Sequence, residues 1–242
     1  MKKLFTTSLL LIIFISINAQ KLTLGFRVAP NLSFTNVKEY NQSYPGVKQK
    51  GVGVRYSLGC NADYYFTKNI VIATGLWYTK KVVNLDMGVL YKDDHFISQT
   101  RYNLNYLQIP ITVKILTNKI KRKFKIYGQL GVLLDIKLKE KPRDTDLSYG
   151  ANNYFHNTVL HYGNSGPPVF KRTGVSFYIG GGIERSIGRH MSLFSSLSYS
   201  KLLNPMLTNF SDLSPTAGYV ANTLKVKTTQ VSLEFGIKFK VY

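Results

Sequence analysis

Apolar residues recur at every second position along eight stretches of the 242-residue chain. That is the period of a strand whose two faces meet different surroundings. In the first stretch Leu22, Leu24, Phe26 and Val28 alternate with Thr23, Gly25 and Arg27, and in the second Tyr56, Leu58, Cys60, Ala62, Tyr64 and Phe66 alternate with Arg55, Ser57, Gly59, Asn61 and Asp63. The third, from Ile70 to Val82, sets Ile70, Ile72, Leu76 and Tyr78 on one face but Val71 and Trp77 on the other, which leaves its facing open. The fourth and fifth are the cleanest. Leu107, Ile109, Ile111, Val113 and Ile115 oppose Tyr106, Gln108, Thr112 and Lys114, and the odd-parity partners of Ile126, Leu130, Val132, Leu134, Ile136 and Leu138 include Lys125, Gln129, Asp135, Lys137 and Lys139. Val175, Phe177, Ile179 and Ile183 then face away from Ser176, Tyr178 and Glu184; Met191, Leu193, Leu197 and Tyr199 from a run of serines; and Val231, Leu233, Phe235, Ile237 and Phe239 from Glu234, Gly236 and Lys238.

These stretches run for about 12 to 16 residues, more than the ~9–11 a tilted strand needs to cross a bilayer and more than twice the usual strand of a soluble domain. The connections alternate too: long at 35–50, 86–100, 140–171 and 204–223, short at 67–69, 116–122 and 188–190. Four of one kind and three of the other predict an all-β fold, an eight-stranded antiparallel up-and-down transmembrane β-barrel with periplasmic termini and four long outer loops. The competing architecture is a soluble barrel of lipocalin type, with the apolar face turned inward around a ligand; alternation is common to both, and the strand length favours the membrane.

Residues 1–19 fix the compartment. Lys2 and Lys3, the apolar run Leu9–Ile15 and the small residue Ala19 form a secretory leader, so residues 20–242 are read as one outer-membrane barrel domain. Removing Lys2 and Lys3 lowers the formal charge from +20 to +18. On an exported chain such a field points to anionic lipid or an acidic protein, and argues against nucleic acid. Cys60 is the single cysteine, which excludes an intramolecular disulfide.

The stretch Asn105-Tyr106-Leu107-Gln108-Ile109-Pro110-Ile111, followed by Lys114, resembles the characteristic strand of the PorT-like outer-membrane β-barrel family. Gly75-Leu76-Trp77-Tyr78, Ile126-Tyr127-Gly128-Gln129-Leu130-Gly131 and Gly180-Gly181-Gly182-Ile183-Glu184 are similar to other strands of that family in kind. The resemblance spans about 50–240. It implies an eight-stranded barrel of a Gram-negative outer membrane, some of whose relatives serve type IX protein secretion. One departure is the C-terminus, where Tyr242 shares parity with Glu234 and Lys238, leaving Phe239 as the lipid-facing aromatic.

A barrel of eight strands is only wide enough for side chains to fill. Arg27, Arg55, Asp63, Lys114, Asp135, Glu184, Glu234 and Lys238, with Lys125 and Lys137, are therefore expected as a paired charge network in the lumen, a structural role. Lys80, Lys81, Lys137, Lys139, Arg172, Lys201, Lys225 and Lys227 are expected near the outer strand ends, level with lipopolysaccharide phosphates. Tyr64, Tyr65, Phe66, Tyr78, Tyr102, Phe124 and Tyr199 fit interfacial girdles. A rim enzyme acting on lipid or peptide would draw on Asp93, Asp94, His95, Ser148, His156 and His161, but adjacency in loops sets no catalytic geometry and the spacings match no zinc pattern. The sequence reading is thus a monomeric, non-enzymatic outer-membrane barrel without cofactor or metal. Its expected partners are envelope lipids, including lipopolysaccharide, and envelope or secretion-complex proteins.

Overall fold

The computed structural model describes residues 22–39, 47–49, 52–91, 94–118, 120, 123–149, 153–156, 170–206 and 224–241. The leader at 1–19 lies outside the described residues, as does Tyr242. Ten strands follow in chain order: β1 (Leu22–Glu39), β2 (Val47–Gln49), β3 (Val52–Tyr65), β4 (Ile70–Tyr91), β5 (Asp94–Leu116), β6 (Phe124–Tyr149), β7 (Asn153–His156), β8 (Thr173–Ser186), β9 (Met191–Leu202) and β10 (Leu224–Lys240). β2 and β7 are short additions that pair with β4 and β6. The other eight pair antiparallel, each with its neighbours in sequence, and β10 closes on β1 from Thr23↔Lys240 to Glu39↔Leu224. Closure gives each of the eight long strands a partner on both sides through the wall.

Three short connections and both strand termini of the ring lie at one end. In the first turn Thr67 Oγ1 accepts from the amides of Asn69 and Ile70, and Asn69 Nδ2 donates to the Leu116 carbonyl at 2.8 Å, tying this turn to the next. At the opposite end β4 and β5 stay paired as far as Tyr91↔Asp94. The segment 86–100, expected as a long loop, is therefore mostly the tip of a β-hairpin. Its alternation is hard to read because a strand that has left the bilayer no longer needs one oily face.

Alternation of exposure along the wall is regular. Phe26, Leu58, Leu76, Val113, Leu130, Ile179, Leu197 and Leu233 point outward, as does Cys60. Gly25, Arg27, Ala29, Asn31 and Ser33 of β1 point inward, and β3 follows the expected parity. The open question of the third stretch is settled by β4: Val71, Ala73, Trp77, Thr79 and Lys81 are buried inside, and Ile70, Ile72 and Leu76 face out. Glycine makes the inward indole possible. A Cβ on Gly59 would sit 2.6 Å from the Trp77 ring and 2.4 Å from the Leu76 carbonyl, so this wall position admits hydrogen only.

The two faces exchange character towards the outer end. In β5 the outward residues run Ile115, Val113, Ile111, Ile109 and Leu107, then Asn105 and Asn103; the inward residues run Lys114, Thr112 and Gln108, then Tyr106, Leu104 and Tyr102. β10 repeats this, with Leu233 and Val231 giving way outside to Thr229, Lys227 and Lys225 while Val226 is fully buried within. β9 does the same at Lys201 and Leu202. A register shift between Asn105 and Tyr106 in the β5–β6 ladder falls at the inversion, as a bulge that re-aims one strand against the other. Beyond this plane the inward side chains Val83, Tyr102, Leu104, Tyr106, Leu202 and Val226 join Phe170 and Met206 in one apolar cluster that caps the lumen.

Candidate functional site

The lumen below this cap holds three layers of polar side chains, each contributed by several strands. Nearest the short turns, Lys238 of β10 bridges Asp63 of β3 at 2.5 Å and Glu184 of β8 at 3.2 Å, and Lys114 of β5 lies 3.6 and 3.5 Å from the same two carboxylates. Two cations and two anions thus alternate around a closed ring. Each carboxylate therefore has both lysines within 3.6 Å, so neither is buried without a counter-charge. The Tyr127 ring lies beneath Lys114, 3.7 Å from the ammonium to its centroid, and Ser192 donates to Glu184.

In the middle layer Arg27 of β1 pairs with Glu234 of β10 at 3.3 Å and lies over the Trp77 ring at 3.7 Å. Glu234 also accepts from Tyr178 at 3.1 Å, Ser198 at 2.6 Å and Ser196 at 3.4 Å. Trp77 is held in turn by its indole N–H, which donates to Asn61 at 2.7 Å. In the upper layer Asp135 of β6 accepts from Gln108 and Ser176, both at 2.5 Å, and pairs with Lys81 of β4 at 3.2 Å. Lys137 pairs with Glu140 at 2.6 Å and donates to the Phe170 carbonyl, fixing β6 to the apolar cap.

The expected network is assembled from Arg27, Asp63, Lys114, Asp135, Glu184, Glu234 and Lys238. Arg55 sits apart from the three layers, half-buried, donating to Asn103 at 2.9 Å and to the Val54 carbonyl. Lys125 lies at the mouth beside the short turns, with Thr23, Tyr65, Lys68, His190 and Lys240 around an opening of about 630 Å³.

Two residues of the expected outward belt are corrected. Lys81 is 2% exposed and points into the lumen as the partner of Asp135, because β4 takes the parity of Trp77; Lys137 is turned onto Glu140. Lys80, Lys139, Arg172 and Lys201 are on the outer surface or half-exposed, with Lys80 stacked 4.7 Å over the Tyr56 ring, and Lys225 and Lys227 are half-exposed. Of the aromatics read as girdle residues, Tyr102 is instead inside the cap, edge-on to Phe170 with centroids 5.3 Å apart, and Tyr65 is half-buried at the inner mouth. Sequence reasoning missed Lys81, Gln108, Tyr178 and the cap. The parity of Lys81 with Trp77 and Thr79 was the available signal; Phe170 and Met206 had none, since they lie outside the alternating strands.

Asp93 and His161 lie outside the described residues. The backbone register sets His95 opposite Leu90, Ser148 opposite Ile97 and Tyr154, and His156 opposite Asp146. Among the described residues no group of three His, Cys, Asp or Glu side chains is arranged to hold a metal ion. Chemically, the luminal carboxylates are committed to ammonium, guanidinium and hydroxyl partners, an arrangement that braces opposite walls.

A family model described as outer membrane protein beta-barrel domain matches residues 18–208. Among solved structures, the outer membrane protease OmpT of Escherichia coli aligns with 90% of this chain and 96% of its own at 8% identity and a TM-score of 0.54. Neisserial surface protein A aligns over 91% and 97% at 10% identity and a TM-score of 0.41, and the attachment invasion locus protein Ail of Yersinia pestis over 90% and 97% at 13% and 0.34. No curated protein matches the chain.

Proposed function

Because the chain belongs to the outer membrane protein beta-barrel domain family and so resides in the outer membrane, we propose that it is a non-enzymatic, non-conducting component of the cell envelope that works by holding a partner or lipid at its outer end. The observation that supports this most directly is the lumen, filled by ion pairs drawn from β1, β3, β4, β5, β6, β8 and β10 and capped by the apolar cluster around Phe170. A pathway for solute would have to break these pairs, and a buried charge stripped of its partner is costly.

The outer end is where an interaction would occur. β4, β5 and β6 are 22, 23 and 26 residues long, about twice what a bilayer crossing requires. Together they raise a lobe well above the plane where the wall changes polarity. Around that plane Lys80, Lys139, Arg172, Lys201, Lys225 and Lys227 meet the phosphates of lipopolysaccharide, and the lobe above them meets a protein. A subunit role in type IX secretion is the finer form of this proposal, and it rests on the Asn105–Ile111 strand and its resemblance to PorT-like barrels. Residues 1–19 act as the leader and 20–242 as the barrel domain.

Affinity purification of the tagged protein from outer membranes in mild detergent tests the proposal. Co-purifying envelope proteins that are lost when the β4–β5 hairpin tip is shortened support an interaction role; secretion-machinery subunits among them support the finer form. Loss of cellular function on replacing His95, His156 and His161 by alanine, with folding and partner capture intact, would favour a catalytic rim instead.

A further inference from the structure

The outward wall is not uniform. Across β1, β10, β9 and β8 near the short-turn end it is indented by a groove of about 590 Å³, lined by Phe26, Val28, Leu193, Phe235 and Ile183, with Arg185 at one end. Its cause is a single small side chain. β9 presents Leu193, Ser195, Leu197 and Tyr199 outward, and Ser195 is paired across the ladder with Phe235 on one side and Ile183 on the other. Where bulky residues surround this serine the wall is indented, and Phe194 and Gly236 beside it join the lining. Arg185 lies in the row below, in register with Phe124 of β6 and Leu193 of β9, and its guanidinium is 5.3 Å from the Phe124 ring centroid. It is the penultimate residue of β8, at the short-turn end of the wall, with exposed Lys123 and Arg189 in the adjoining turns, and a strand end is where a spanning wall meets headgroups.

We propose that this groove seats one acyl chain of a glycerophospholipid from the periplasmic leaflet, with Arg185 holding the lipid phosphate. The wall is in the membrane, which limits what can reach the groove to lipid or another membrane protein. The combination of an almost wholly apolar trough and one guanidinium at headgroup depth matches a chain joined to an anion. Arg185 is suited to the phosphate because its fork binds two oxygens at once while its stem stays against Phe124. The lipid then fills a depression that the protein's own side chains leave open, adding contacts that a flat wall would not offer.

Native mass spectrometry of the full barrel, purified from outer membranes in mild detergent, tests this with two variants that change only the lipid-facing surface. Ser195→Phe fills the trough and Arg185→Gln removes the anion contact; heat-modifiable migration on gels verifies that each still folds. The expected result is a monomer carrying one phospholipid in the wild type, with retention reduced about tenfold or more in Arg185→Gln, as loss of a charge-assisted contact implies, and reduced in Ser195→Phe because the acyl chain has no trough to enter. Equal retention by either variant overturns the proposal, as does a wild type recovered as a lipid-free dimer, which would make a second copy of the chain the occupant.

Discussion

Lys238 holds the lower lumen together, since its ammonium contacts both Asp63 and Glu184 and leaves Lys114 only the longer approaches. Lys238→Met should therefore cost about 3–5 kcal/mol, the penalty for breaking a buried pair. The urea midpoint of the barrel in micelles measures it, and adding Asp63→Asn should recover part of the loss; a double variant no better than the single would mean that the two groups are not coupled. Glycine gives a second contrast at this scale. A Cβ on Gly236 would lie 2.1 Å from the Phe26 carbonyl and 2.4 Å from the Phe194 ring, whereas one on Gly128 meets nothing within 4 Å. Gly236→Leu should abolish heat-modifiable folding, and Gly128→Ala should leave the folded fraction unchanged, because one Cβ enters packed backbone and the other enters lipid.

At the scale of the strand, what matters is which face meets hydrocarbon and over what length. Leu130 of β6 and Ile179 of β8 face each other across the ladder and are 52% and 46% exposed. Arginine at either should cost about 2–4 kcal/mol near the midplane, measured as a lowered denaturation midpoint in lipid vesicles; an unchanged midpoint would displace the midplane from this row. Above the polarity inversion the same parity has the opposite meaning. Leu104 is fully buried in the cap while Asn103 and Asn105 face outward. Leu104→Ala should cost about 2–5 kcal/mol and open the outer lobe to protease while the membrane wall stays protected.

At the scale of the whole molecule, the three charged layers and the cap make a column that is braced across its width. Reconstituted in planar bilayers, the barrel should show no steady conductance in physiological salt. A variant lacking charges in all three layers, Lys81→Ala with Arg27→Ala and Lys238→Ala, should admit ions if it folds. Steady unitary currents through the unaltered barrel would overturn the non-conducting part of the proposal.

The alternation of apolar residues, taken with the length of the strands and the rhythm of the connections, was enough to determine the barrel, its strand number, the outward faces of seven of the eight long strands and most of the luminal charges. A wall one residue thick, with lipid on one side and polar atoms on the other, writes its facing directly into sequence parity. Three things depended on tertiary structure. The side of β4 was decided by where Trp77 fits, in the space left by Gly59 on the neighbouring strand, so Lys81 went in with it. The pairing of charges was decided by register around the closed ring, which joins Lys238 to Asp63 across 175 positions of sequence. The cap was decided by the polarity inversion of β4, β5, β9 and β10 and completed by Phe170 and Met206, which lie between strands and carry no period of their own. Periodicity reports the surroundings of one strand, and contacts made across the lumen exist only once all eight have closed.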